Sequence, residues 1–598
     1  MKNMGKLSTT LLTMVILLTA NLGLAQTSPS GSQEPAVLKE MPADSAVVIA
    51  CHSIDSLSKK LNLFAQQIGM LEPGSPAKVE DAIWQQLGLT EMIDASAGFG
   101  VCISDITNAN ETTIMFLPVR DGNSAMQSMG AVEVAGSTDI RQVPMGPLVK
   151  MAGRYLMMAE NAEIFSALGQ KPKGVKLSSS AAEMFAKSDV AVTINLAGLM
   201  PKVKEKILKE MTSDPEIQKH PSIVKVINMA TDRLSELQSA SVGILLGEEG
   251  INLKTNMQAA PNSTLAKYLS NHPTTDISKL AKLPGQNFIL AGAVNFDKKM
   301  FVDMAGAVID AIAGDPSLSE KINQADLKEL KALLPQMCNS VGTVAMYAPG
   351  VAANPGAVPK QIIIGDFEDT KQAMESYGQM CSLITKISTQ AGFPIKMTYK
   401  KAAGEIDGVS YDELTTDMSE FPMSDEGKQG MTAIYGGQPQ ISQQFSLLAD
   451  NTLVMGMGQD ALKEAIALAK NKTTGLDKNP EVIKAAKNLP SRANALFFVD
   501  VGKYMQMASG MVQAQMQAQG DQGMNPMVMI SMMFGQIKES VGTSLILEDG
   551  TIKGEVAIPI DMIKSAAQMV QMMMGAAMGS QMPPGQMPPG QSAQPTVF

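Results

Sequence analysis

Two stretches of this chain read nearly alike: Ala125-Met126-Gln127-Ser128-Met129-Gly130 and Ala373-Met374-Glu375-Ser376-Tyr377-Gly378, with four of six positions identical. One short match means little, but the flanking sequence matches in the same order. Thr112 to Pro118 lies before the first stretch and Lys360 to Gly365 before the second, both strand-like. Upstream, Ser96-Ala97-Gly98 corresponds to Ser340-Val341-Gly342. Further upstream, Met41-Pro42-Ala43-Asp44 and the run Ala46 to Ala50 correspond to Leu283-Pro284-Gly285-Gln286 and the run Phe288 to Val294. Downstream, Leu156-Met157-Met158 corresponds to Leu453-Val454-Met455, and Val190 to Leu196 to Ala495 to Val501. The turn Glu248-Glu249-Gly250 corresponds to Glu548-Asp549-Gly550. Collinear self-similarity of this kind is the signature of an internal repeat.

Each copy alternates short β-branched or Met-rich runs with helix-period segments such as Ser56 to Gly69 and Lys298 to Ala313. Tight turns between apolar runs indicate hairpins. The class expected is α+β: an internally duplicated chain of mostly antiparallel sheets covered by helices, with helices on one face. The opening strand–helix–strand–strand–helix–strand order admits ferredoxin-like units. Residues 41–275 form the first half and 283–575 the second. The segment 26–40 reads as a flexible linker and 579–598 as a Pro/Gly/Gln-rich disordered tail. The copies differ in loops, above all at Ala348 to Pro359 and at an insertion around Tyr399 to Phe445.

Lys2 and Lys6, an apolar run from Leu11 to Leu18 and the small-residue site Gly23-Leu24-Ala25 read as a signal peptide over residues 1–25. Its apolar part is short for a membrane span. Met562 to Met578 is interrupted by Lys564, Gln568 and Gln571, so no transmembrane segment is expected after signal cleavage. The expected location is exported, in the periplasm or outside the cell. In that oxidising setting Cys51, Cys102, Cys338 and Cys381 allow three disulfide connectivities, Cys51–Cys102 with Cys338–Cys381 being the local one; the alternative is four buried thiols.

With 598 residues, 45% hydrophobic and 18% charged, the chain is globular. A formal net charge of −10 argues against nucleic acid as a partner, because phosphate contacts need a basic face. Only three histidines leave little for His-based chemistry. His52 follows Cys51 directly, and adjacent strand residues face opposite ways, so the two do not form a nucleophilic pair. His220 and His272 precede prolines in polar segments. Gly456-Met457-Gly458-Gln459-Asp460-Ala461 resembles a dinucleotide fingerprint, but the matching positions Ala159, Asn161 and Ile164 lack the glycines, so a plain strand-to-helix turn is expected. Asp121 and Asp369 occupy equivalent places before helices and read as N-caps. Asp366, Glu368 and Asp369 lack the spacing of a calcium loop. No catalytic, cofactor-binding or metal-binding residues are assigned.

Methionine is the compositional outlier: 17 of 47 fall between residues 501 and 590. Thioether clusters suit copper or silver ions in exported proteins. Helical spacing of Val501, Met505, Ala508, Val512 and Met516, and of Ile563, Ala567, Val570, Met574 and Ala577, favours core packing.

The pattern Met41-Pro42-Ala43-Asp44-Ser45 before a strand and helix, recurring at Leu283-Pro284 and Leu489-Pro490, together with Leu453-Val454-Met455, resembles large uncharacterised secreted proteins of planctomycete-like bacteria that share a domain of unknown function. The resemblance covers residues 40–575. It implies export and a repeated α+β fold, and it carries over no activity and no functional residues. The functional expectation is therefore an exported, non-enzymatic protein with a binding or structural role in the cell envelope, its partner an envelope protein or a small molecule held between the halves near the linker Pro273 to Pro284. The alternatives are soft-metal binding by the Met-rich region and a hydrolase with a dispersed site.

Overall fold

The computed structural model describes residues 34–568, apart from 73–83, 213–220, 350–359, 420–439, 508–536 and gaps of one to four residues. The segment read as a signal peptide, residues 579–598 and most of the Met-rich region lie outside the described residues.

The first run of strands is β1 (Val47–Cys51), β2 (Gly100–Ile103), β3 (Thr113–Pro118), β4 (Val132–Glu133), β5 (Ile140–Gln142), β6 (Leu148–Ala152), β7 (Tyr155–Ala159), β8 (Val190–Asn195), β9 (Leu237–Gly247) and β10 (Gly250–Ala259). The second is β11 (Phe288–Asn295), β12 (Val341–Pro349), β13 (Gln361–Phe367), β14 (Lys396–Ile406), β15 (Val409–Asp417), β16 (Gln440–Leu447), β17 (Thr452–Met457), β18 (Ala495–Asp500), β19 (Ser540–Glu548) and β20 (Thr551–Pro559).

All pairings between these strands are antiparallel. In the first run the spatial order is β4-β5-β6-β7-β3-β2-β1-β8-β9-β10. In the second it is β14-β15-β16-β17-β13-β12-β11-β18-β19-β20, the same order strand for strand. β10 then pairs with β20, from Gly250↔Pro559 to Gln258↔Thr551, and fuses the two runs into one 20-stranded sheet. Lys254 pairs with Glu555 across this seam, where a pseudo-twofold axis relates the halves. The fold is α+β and antiparallel. β1 and β2 are adjacent antiparallel neighbours, whereas a split βαβ unit would set a third strand between them.

Sequence chemistry accounts for the local elements. Asp549 and Gly550 both take positive φ (48° and 74°), as the primed turn closing the β19–β20 hairpin requires, and Asp407-Gly408 (49° and 76°) does the same between β14 and β15. The helix Gly122–Ser128 starts at Asp121, whose carboxylate accepts from the Asn123 and Ser124 amides. The helix Thr370–Ala391 starts at Asp369, which accepts from Gln372. Both aspartates are N-caps, as expected.

Helices cover both faces, not one. Along β7, Tyr155, Met157 and Ala159 join one cluster with Phe165, Met184 and Phe185, while Leu156 and Met158 join another with Ile54, Ala125 and Met126. Period-two alternation with both faces buried turns a strand into an uninterrupted apolar run. Side chains such as Phe116, Phe185 and Phe498 are fully buried, each worth roughly 1.5–3 kcal/mol of transfer free energy.

Three expectations change. The hairpin turns equate one residue differently: Gly247 pairs with Gly250, and Glu548 with Thr551, so Glu248-Glu249 corresponds to Asp549-Gly550. In the segment around Tyr399 to Phe445 the described residues form β14, β15 and β16, with β14 and β15 long versions of β4 and β5. The linker belongs to the second half's core: Leu280 and Leu283 are buried there, Thr275 bridges to Ala493, and Pro284 bridges to Gly475. Two leucines at that spacing bury more favourably in a core than along an open cleft.

Candidate functional site

The seam opens into a cleft of about 530 Å³. Its floor comes from Leu245 on β9, from Asn252 and Lys254 on β10, and from Glu555 on β20. Leu245 lies opposite Asn252 and Glu555 opposite Lys254, so all four side chains share one face of the sheet. One wall is the turn Glu248-Glu249 between Gly247 and Gly250. The other is Lys487-Asn488-Leu489-Pro490, from the second half.

That second wall has a local cause. In the first half the helix Ser179–Lys187 leads into β8 through Ser188 and Asp189 alone. In the second half the helix Pro480–Ala486 is separated from β18 by residues 487–494. The longer connection carries Leu489-Pro490 over the seam, so only one side of the pseudo-twofold axis has this wall. On the other side Glu548 is held by Lys553 at 2.6 Å, and Gly550 sits against Ala266 of the helix Thr264–Tyr268.

The cleft is charged and hydrogen-bonded. Lys254 Nζ lies 2.9 Å from Glu555, with the two side chains 30% and 17% exposed. Lys487 Nζ lies 3.9 Å from Glu249, and both are well exposed. Asn252 donates through Nδ2 to the Asn488 carbonyl at 2.7 Å, a bond that ties the floor to the wall. That carbonyl only accepts, so it fixes the amide orientation and leaves Asn252 Oδ1 without a hydrogen-bond partner. Gly250 takes φ +141°, and a Cβ there would meet the Ile558 carbonyl oxygen at 1.9 Å, so the close strand approach at the seam depends on glycine.

A second cleft, about 430 Å³, lies at the Gly456-Met457-Gly458 turn and is lined by Gln440, Ser442, Gln444, Asp460 and Lys463. Each glycine has a packing reason. A Cβ on Gly456 would meet the backbone of Leu462 at 2.2 Å, and Gly458 has φ +89°. Asp460 also sits at positive φ, and its carbonyl accepts from Glu464 as the helix Ala461–Lys470 begins. In the first half the corresponding strand ends on Ala159 before the helix Ala162–Gln170. The turn is the strand-to-helix connection expected.

The other sequence candidates are dispersed. His52 Nε2 contacts the Phe185 carbonyl at 2.6 Å, while the adjacent Cys51 is buried. His272 Nδ1 lies 3.1 Å from the Asp297 carboxylate and Nε2 faces the Tyr268 carbonyl; the side chain is 2% exposed. Nε2 of His272 is thus committed to a backbone carbonyl, while Nδ1 is close to Asp297 but makes no hydrogen bond. His220 and Glu368 lie outside the described residues, as does the Met-rich stretch 508–536 and everything beyond 568. Among the described residues no three His, Cys, Asp or Glu side chains converge as metal ligands.

All four cysteines are buried free thiols. The register places Cys102 opposite Val48, three positions or ~10 Å along the strand from Cys51. Burial pushes the Cys51 thiol up to about 12 and Cys381 up to about 11, which removes thiolate character from both.

One buried ion pair escaped the sequence reading. Lys60, on the helix Ile54–Gln67, reaches Asp189 at 2.6 Å, with side chains 10% and 6% exposed. Asp189 also accepts from the Leu246 amide at 2.8 Å. Burial raises its carboxyl above the usual range in spite of Lys60. The second half has Asn494 in this place, accepting from the Leu547 amide at 2.6 Å. That comparison marks the pair as a structural tie.

Among the described residues no helix is long and apolar enough to cross a membrane. Comparison of the chain with protein-family models, with curated proteins and with solved structures finds no match.

Proposed function

We propose that this is an exported, non-enzymatic binding protein of the cell envelope that holds a small polar solute in the seam cleft. The observation that carries the reading is the composition of the cleft: both halves contribute to it, and its longer wall exists in one copy alone. Divergent loops on a repeated scaffold are where recognition is built, and pockets favour junctions between units. The polar floor supports binding in the same way. Asn252, Lys254 and Glu555 place hydrogen-bonding and charged groups on the floor. Export rests on the Lys2-to-Ala25 leader.

A thermal-shift screen of polar solutes against the full chain tests the reading, with the Asn252→Leu/Lys487→Ala variant beside it. A solute at 100 times its Kd should add about 2.7 kcal/mol of stability to the native chain, and much less to the variant. If no solute stabilises the native chain more than the variant, the cleft is not a binding site.

A further inference from the structure

We infer that Met145 is a site of reversible oxidation, a thioether held out to two-electron oxidants such as hypochlorous acid and peroxides. The seam cleft has no part in it. Methionine elsewhere in this chain packs: Met41, Met157 and Met184 are buried. Met145 is 97% exposed, against 60% for Met304 and 58% for Met70, the next two among the described methionines.

The turn that carries Met145 is closely built. It spans 143–147 between β5 and β6 and includes Pro144 and Pro147, whose rings fix φ. The Val143 amide donates to the Pro147 carbonyl at 3.1 Å, and the Gly146 amide to the Val143 carbonyl at 2.9 Å. Gln142 braces the turn, its Nε2 donating to the Val143 carbonyl at 3.0 Å and to the Gly146 carbonyl at 2.6 Å. A Cβ on Gly146 would meet the Val143 side chain at 2.8 Å. Within this closed turn Met145 takes φ 53°, a conformation that glycine, asparagine and aspartate adopt far more readily. Neither packing nor backbone preference calls for methionine there. What methionine adds is an accessible sulfur.

The competing groups are out of reach. Thiols are the other side chains that such oxidants attack first, and their susceptibility follows exposure. All four cysteines are buried. The Met145 sulfur gives up two electrons and keeps the oxidant's oxygen as a sulfoxide. Hypochlorous acid leaves as chloride and a proton, hydrogen peroxide as water. Methionine sulfoxide reductases restore the thioether, a dithiol becoming a disulfide while the oxygen leaves as water.

The test is titration of the full chain with substoichiometric hypochlorous acid, read by peptide mass mapping and circular dichroism. Met145 should take up oxygen ahead of the other described methionines, at a rate close to that of N-acetylmethionine amide in the same mixture, with the spectrum unchanged. Methionine sulfoxide reductases A and B should then remove the oxygen. Met145→Asn should abolish that uptake and raise the denaturant midpoint, because asparagine accepts a positive φ. Oxidation of Met304, Met70 or a buried methionine before Met145 would overturn the inference. So would a lowered midpoint for Met145→Asn, which would make the side chain a packing element.

Discussion

At the residue scale the clearest lesson is the pair Lys60–Asp189 against its counterpart Asn494. Both positions solve one problem, a backbone amide just beyond the end of the neighbouring strand that needs an acceptor. The first half does so with a charge, which then needs Lys60. Breaking a buried pair strands the surviving charge, so Lys60→Met alone should cost about 3–5 kcal/mol in denaturant unfolding. Adding Asp189→Asn, which copies the other half, should recover most of that loss. The pH dependence follows from the raised carboxyl of Asp189. The native state then holds a proton more tightly than the unfolded chain, whose aspartates titrate near ~3.9. Stability attributable to Asp189 is therefore fullest in acid, and falls as pH rises from that value through the raised one. The double variant should gain on the native chain over that same interval; a gain that shrinks with rising pH would refute the assignment. None of this was legible in sequence, because Lys60 and Asp189 are 129 positions apart and nothing local marks either.

Among elements, the seam hairpins govern the architecture. Among the described residues β10 and β20 are the link through which the sheet continues from one half to the other. Gly250 permits their approach, since any Cβ there strikes the Ile558 carbonyl. Gly250→Ala should therefore destabilise by more than the ~1 kcal/mol of an ordinary glycine replacement and shift the cleft-wall residues Glu248 and Glu249, measurable by hydrogen exchange at the seam amides. Exchange unchanged from β9 to β20 would show that the hairpin tolerates the side chain. Strands and helices themselves were largely readable: Lys298–Ala313 and Phe288–Asn295 lie where periodicity puts them. The misreadings arose where a pattern has two solutions. A run such as Tyr155–Ala159 is apolar throughout because it is buried on both faces, and sequence does not say how many layers cover it.

For the whole molecule, a continuous sheet predicts interdependence of the halves. Helical packing adds to it, for Ile560 and Ile563, which follow β20, pack on Phe64 and Ile68 of the first half. Chains 34–275 and 276–568, produced separately, should associate one-to-one through the seam, and Gly250→Ala should weaken that association. Two fragments that remain monomeric at micromolar concentration would show the seam to be a weak contact.

The sequence by itself pointed to the repeat, to most strands and helices outside β4–β6 and β14–β16, to the caps at Asp121 and Asp369 and to the hairpin at Asp549-Gly550, because these follow from residues close together in the chain. Tertiary structure alone decided that the two copies share one sheet, that helices cover both faces, that the linker leucines fill the second core, and that a cleft opens on one side of the seam. Each of those depends on strand edges and surfaces far apart in sequence meeting, at the seam across more than 200 residues, as Asn252 meets Asn488 and Gly250 meets Pro559. No local propensity encodes such meetings; burial and edge pairing select them only once the chain is closed on itself.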